Sequence, residues 1–166
     1  NDISFFDKDI RNLDDVIELI SNSQPDFIFH LAAQAIVSSS YENPINTITS
    51  NVIGTVNILE ALRIVNPKAK VVIITSDKAY DNIEQVWGYR ENDILGGKDV
   101  YSGSKGAAEI LIKSYFNSFF KNENINFRFA IARAGNVIGG GDWAKDRIVV
   151  DSITSWSEGK SVFIRS

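Results

Sequence analysis

"KVVIITSDKAY" (residues 70–80) sets an unbroken apolar run directly before a hydroxyl, a carboxylate and an ammonium. A strand with one wet face alternates apolar and polar residues, whereas a strand covered on both faces in a parallel sheet is apolar throughout. Residues 70–75 are of the second kind. So is "DFIFHLA" (26–32), behind Pro25. "FRFAIAR" (127–133) and the shorter "ISFF" (3–6) and "SVFIR" (161–165) supply further candidate strands. Between them lie helical patterns. Residues 12–23 start with a cap-like Asn12 and the early acids Asp14 and Asp15, then turn apolar at Val16, Ile17, Leu19 and Ile20. Residues 45–65 enter through Asn43-Pro44 and must stop before Pro67. Two more helices are expected over 101–120 and around 146–158. Helices alternating with continuous apolar strands define an α/β fold, a doubly wound parallel sheet.

In such a sheet ligands bind in the crevice beyond the carboxyl ends of the strands. That nominates 7–12, 32–40, 76–80 and 134–142. Residues 76–100 carry Gly88, Gly96 and Gly97 without clear periodicity and form a long loop, which in a compact domain is usually functional.

Bulk properties narrow the classes. The net charge of −4, with no basic stripe, argues against a nucleic-acid or anionic-membrane partner. With no cysteine there is neither disulfide nor thiolate chemistry, and the cytoplasm is the expected location. A single histidine, His30, gives no basis for a metal site. The longest apolar runs, such as "VVII" (71–74), are too short to span a bilayer. The chain has no methionine and opens in what reads as mid-domain, so a piece of a longer protein is expected.

Four stretches carry chemistry, each with a plainer alternative. In "DVYSGSKGAAEI" (99–110), Tyr101 and Lys105 lie one helical turn apart with only small residues between. They are a helix start with a surface contact, or an acid/base pair in which the ammonium lowers the phenol's pKa. Of the five tyrosines, only Tyr101 has a lysine four residues on. Ser76, Asp77 and Lys78 are a strand-end turn or a cluster of reactive groups. "NVIGGGDW" (136–143) is a flexible loop or a close approach to phosphate, and it is not the dinucleotide fingerprint, which the chain lacks. Asn51, a poor helix former inside a helix, is a surface residue or a buried anchor. His30 reads as a core histidine.

"HLAAQ" (30–34), "NVIGT" (51–55), "TSDKAY" (75–80), "YSGSK" (101–105) and "RAGNVIGGGDW" (133–143), in that order, resemble the extended short-chain dehydrogenase/reductases, with a Rossmann-like fold. "SDKAY", "VWGYREND" (86–93) and "GNVIGGGDW" together resemble the members that dehydrate CDP-glucose at C4 and C6. Two positions depart from that pattern: Val100, where a proline is usual, and Ser38, where a basic residue is common. The resemblance implies that residues 1–135 are a partial dinucleotide-binding domain carrying the catalytic groups and 136–166 the start of a substrate-binding region, with a glycine-rich loop and two strands before Asn1 and further substrate-binding chain after Ser166. It implies NAD as cofactor, met by Asp9 and Ile10 at the adenine, by Leu31, Ala32, Ala33 and Gln34 along the ribose and diphosphate, and by Tyr101 and Lys105 at the nicotinamide ribose, with Asn51 bracing these loops. Tyr101 would take the proton of the sugar 4-hydroxyl and Ser76 would bond that oxygen. Asp77 would protonate the departing 6-hydroxyl and Lys78 would remove the C5 proton, from a position where dTDP-glucose dehydratases carry glutamate. Ser76, Asn136, Trp143 and Arg147 would hold the nucleotide sugar. It further implies deoxysugar synthesis, as for lipopolysaccharide, and a homodimer through helices 44–65 and 101–120. The alternatives are an epimerase or reductase of the same superfamily and, for these residues alone, a non-catalytic dimer-forming module.

Overall fold

The computed structural model describes residues 3–121, 124–144 and 146–164. The chain divides into two compact units, Asn1–Ala134 and Gly135–Ser166. In the first, α1 (Leu13–Ser23) begins where the Asn12 side chain accepts from the Asp14 amide, and ends at Gln24, whose φ of 42° lets its amide close on the Ile20 carbonyl. Strand β1 (Phe27–His30) follows. A short α2 (Val37–Glu42) and α3 (Pro44–Ile48) lead into a π-helical turn (Thr49–Ile53) and α4 (Gly54–Val65). Strand β2 (Lys70–Ser76) ends in a 3₁₀ turn (Asp77–Ala79). After the 80–99 loop come α5 (Val100–Tyr115), a π-helical turn (Phe116–Phe120) and β3 (Arg128–Ala134).

The three strands are parallel in the order β1-β2-β3, with Ile28 opposite Val71 and Ile73 opposite Ile131. Val16 and Ile20 of α1, Leu59, Ala61 and Leu62 of α4, Val71 and Ile73 of β2, and Ile112 of α5 form the core, closed by Phe120 and Phe127. Fully burying one such aliphatic side chain contributes about 1.5–3 kcal/mol. This cluster therefore fixes the sheet against its helices. The span Pro44–Val65 is long and apolar enough by composition to cross a membrane, a possibility missed by counting only unbroken apolar runs. Here it is a core element, with Leu59, Ala61 and Leu62 fully enclosed.

Three sequence expectations are corrected. Residues 3–6 form no strand, and Ile3, Phe5 and Phe6 are exposed, because nothing among the described residues pairs with them. Residues 161–164 form no strand either, while Arg165 lies outside the described residues. The strand at 26–32 is shorter and is not covered on both faces: His30 is buried, but Phe27 and Phe29, one residue out of phase with it, stand exposed. An unbroken apolar run signals a strand that has partners on both faces; it does not supply them. The helix at 37–42, short and mostly polar in sequence, was not foreseen. In the second unit, α6 covers Ile148–Ser157.

Candidate active site

The catalytic-type groups of the first unit meet because three elements end at one place. At the start of α5, Asp99 caps the helix by accepting from both the amide and the hydroxyl of Ser102. That sets the pitch of the next turn, where Tyr101 and Lys105 are both buried, with Lys105 Nζ 5.9 Å from the Tyr101 ring centroid. Burial pushes the Lys105 ammonium below its usual range. Among the described residues no carboxylate pairs with it. A poorly solvated positive charge beside a phenol stabilises the phenolate, as an acid/base tyrosine requires.

The 3₁₀ turn Asp77–Ala79 packs against α5, which brings Ser76, Asp77 and Lys78 to the Tyr101 helix. Ser76 is buried, donates to Asp77 Oδ1 at 3.1 Å and accepts from the Lys78 amide. Asp77 and Lys78 are themselves exposed. The loop comes close to this turn: the backbone at Gly97 lies directly against Gly103 and Ser102, leaving no room for a side chain at Gly97.

The loop after β1 is tied in by Asn51. Its Oδ1 accepts from the Gln34 amide (2.8 Å), and its Nδ2 donates to the Gln34 carbonyl (3.0 Å) and to Ser104 Oγ (2.9 Å). Asn51 is thus a buried anchor, 2% exposed, spanning the 31–36 loop and the Tyr–Lys helix. Beneath it, Thr55 donates to the Asn51 carbonyl, so the Thr55 oxygen must accept from His30 Nε2 (3.0 Å). His30 is a core histidine held neutral: burial, then the Lys105 charge, lower its pKa to about 4.

The other residues singled out in the sequence sit as follows. Leu31 and Ala32 are exposed and Ala33 half-buried on the same loop. Gln34 Oε1 is buried with no hydrogen-bond partner. Ile10 lies against Gly54, and its carbonyl accepts from Asn57, while Asp9 is engaged by Arg11, whose hydrogen bonds hold its carboxyl below the usual range. In the second unit, Asn136, Trp143 and Arg147 line one cavity of about 410 Å³ with Gly139, Gly140 and Gly141. Gly141, at φ +83°, occupies a conformation other residues rarely adopt. Arg147 Nε is buried without a hydrogen bond, 3.7 Å from Asp142 Oδ2.

One group escaped sequence reasoning: Glu109, nearly fully buried, which joins Thr75 to Arg133. The available signal was its place four residues after Lys105, on the same helical stripe.

The chain and its fold have counterparts among known proteins. The family model for GDP-mannose 4,6 dehydratase matches residues 1–129. The chain belongs to that family, a branch of the extended short-chain dehydrogenase/reductases. It is 49% identical over 161 residues to CDP-glucose 4,6-dehydratase of Salmonella typhimurium, covering 95% of this chain and 45% of that protein. The chain therefore spans less than half the length of this relative. Among solved structures, UDP-glucose 4-epimerase of Thermotoga maritima with UDP-glucose superposes with a TM-score of 0.83 at 23% identity, over 98% of this chain and 51% of that one. The Thermus thermophilus UDP-glucose 4-epimerase complex with NAD gives 0.73 at 27% identity, over 87% and 45%.

Proposed function

We propose that the whole protein is a CDP-glucose 4,6-dehydratase using NAD, a hydro-lyase. The observation that carries this reading is the packing of the Ser76-Asp77-Lys78 strand end against the buried Tyr101–Lys105 turn. The identity to the Salmonella typhimurium enzyme supports it. NAD fits the residues present: a buried ammonium without a carboxylate, and a buried Gln34 oxygen without a donor, are both groups a bound ribose or amide would satisfy. Lys105, Tyr101, Gln34 with Leu31 to Ala33, and Asp9 with Ile10 would hold it. When bound, NAD would supply a reversible hydride acceptor between C4 and C6 of the glucose.

Around that exchange, Tyr101 removes the 4-hydroxyl proton while the Ser76 hydroxyl bonds the same oxygen. The resulting 4-ketone acidifies the C5 proton, which Lys78 removes. Asp77 gives a proton to the 6-hydroxyl, the C6–O bond breaks and water leaves. Lys78 then returns its proton to C5, and the proton held by Tyr101 restores Asp77. The net change is loss of one water. Asn136, Trp143 and Arg147 would bind the nucleotide diphosphate and sugar.

A sugar-nucleotide epimerase or reductase would share Tyr101 and Lys105 but would have no use for Asp77 and Lys78. The same reading carries a cytoplasmic, deoxysugar-forming role, with no nucleic-acid or membrane partner. It also carries a homodimer through 44–65 and 101–120, supported by the exposure of Ile45, Ile48, Ile110, Phe116 and Phe119. The test is to incubate the whole protein with CDP-, dTDP- and UDP-glucose. A 4-keto-6-deoxy product from CDP-glucose is expected; epimerised sugar, or no product from any of the three, overturns the reading.

A further inference from the structure

Glu109 is 2% exposed and its carboxylate is fully engaged. Thr75 Oγ1 donates to Oε1 at 2.6 Å, and Arg133 Nε reaches Oε1 and Oε2 at 2.8 and 2.9 Å. Thr75 and Arg133 face one another across the β2–β3 ladder, so one carboxylate from α5 staples two strand ends. Arg133 extends the staple. Its guanidinium carbon lies 4.5 Å from the Tyr80 ring centroid, and Nη1 donates to the Glu91 carbonyl at 3.2 Å. Both limbs of the 80–99 loop are thereby held. The Glu109 hydrogen bonds raise the Arg133 pKa further, so the guanidinium stays charged at any physiological pH.

A buried ion pair of this kind adds little net stability compared with a packed apolar pair. What it supplies is a fixed distance. Glu109 lies one turn beyond Lys105 and two beyond Tyr101 on α5, while Thr75 immediately precedes Ser76. We propose that Glu109 is a positioning residue that, through Thr75 and Arg133, holds Ser76, Asp77 and Lys78 in register with Tyr101 and Lys105. This rests on the dehydratase reading, which needs both groups to act on one sugar ring. Misplacement by about 1 Å costs on the order of a hundredfold in such chemistry.

The test uses the whole protein with Thr75→Val, Thr75→Ser and Glu109→Gln. Thr75→Val keeps the volume and removes the hydroxyl. It is expected to lower kcat by about tenfold or more with KM for CDP-glucose nearly unchanged. Thr75→Ser, which keeps the hydroxyl, is expected to restore kcat to within about twofold. By amide exchange without ligands, Asp81 and Gly96, which bond Ile94 and Ala79 across the loop, should lose protection in Thr75→Val and Glu109→Gln. The α4 amides should not. Normal turnover in Thr75→Val, equal damage in Thr75→Ser, or protection lost throughout the protein would each overturn the proposal. If wild type has no dehydratase activity, the functional reading falls, and the exchange result still decides whether Glu109 positions the loop.

Discussion

A Cβ placed on Gly106 would lie 2.8 Å from the Gly96 carbonyl oxygen and 3.3 Å from that of Ala79. The helix carrying Tyr101 and Lys105 can therefore approach the backbone of the 76–100 loop only where it has no side chain. Together with the close approach of Gly97 to the Ser102–Gly103 backbone, this is what Gly97 and Gly106 accommodate: the loop bearing the polar strand end lies directly on the catalytic-type turn.

Gly106→Ala sets two effects against each other. Alanine gains up to about 1 kcal/mol of helix propensity over glycine, while overpacking against a backbone oxygen costs about 1–3 kcal/mol. The expected outcome is a melting temperature unchanged or lower, with turnover of the whole protein clearly reduced because the loop must retreat. Gly103→Ala is the control for stability, since nothing lies within 4 Å of its added methyl. A melting temperature raised equally by both substitutions would mean the Gly106 contact is soft.

Much of the first unit was legible in the sequence. The run at 70–75 became the central strand β2, largely buried as its apolar character demands, and 127–133 became β3, which pairs with β2 along its whole length although most of its own residues are exposed. Asn51 was legible as an oddity, since an amide mid-helix needs a reason, and the reason is its pair of bonds to Gln34 and one to Ser104. The π-helical turn at 49–53 was not legible, nor was the Glu109–Arg133 pair, whose partners lie far apart in sequence. "ISFF" failed for the converse reason: an apolar run becomes a strand only if a neighbour offers its ladder.

His30 gives a pH signature. Its folded pKa of about 4 lies below the value of 6.5 it would have unfolded, so the unfolded chain binds the extra proton between these values. The stability this site contributes is complete above pH 6.5 and is lost as pH falls towards 4, by about 3 kcal/mol in all. Denaturant midpoints measured across that window should drop more steeply in wild type than in His30→Asn. Parallel curves would show that His30 is not held neutral.

The exposed isoleucines of the two long helices bear on assembly. Ile45 is 68% exposed and Ile110 52% exposed, so Ile45→Glu with Ile110→Glu should leave the fold within about 1 kcal/mol of wild type. Two charges buried in an isologous contact act twice, once from each subunit. The whole protein should scatter light as a dimer and the double variant as a monomer. An unchanged mass in the variant would move the interface elsewhere.

The Tyr101–Lys105 turn and the Asp77 carboxyl should separate by the step each one stops. Tyr101→Phe keeps the ring that packs in the buried turn, so the fold should survive while the proton acceptor for the 4-hydroxyl is gone. Acid/base groups typically contribute ~10² to 10⁴ in rate, and turnover in the whole protein should fall by at least that. Asp77→Asn leaves the 4-hydroxyl to Tyr101 and removes only the proton needed by the departing 6-hydroxyl. Oxidised sugar should then accumulate with the cofactor held in its reduced form, visible by nicotinamide absorbance in Asp77→Asn and absent in Tyr101→Phe. Near-normal turnover in Tyr101→Phe would reduce the turn to a helix start, whereas equal absorbance in both variants would take the 6-hydroxyl role away from Asp77 and leave the fold and family untouched.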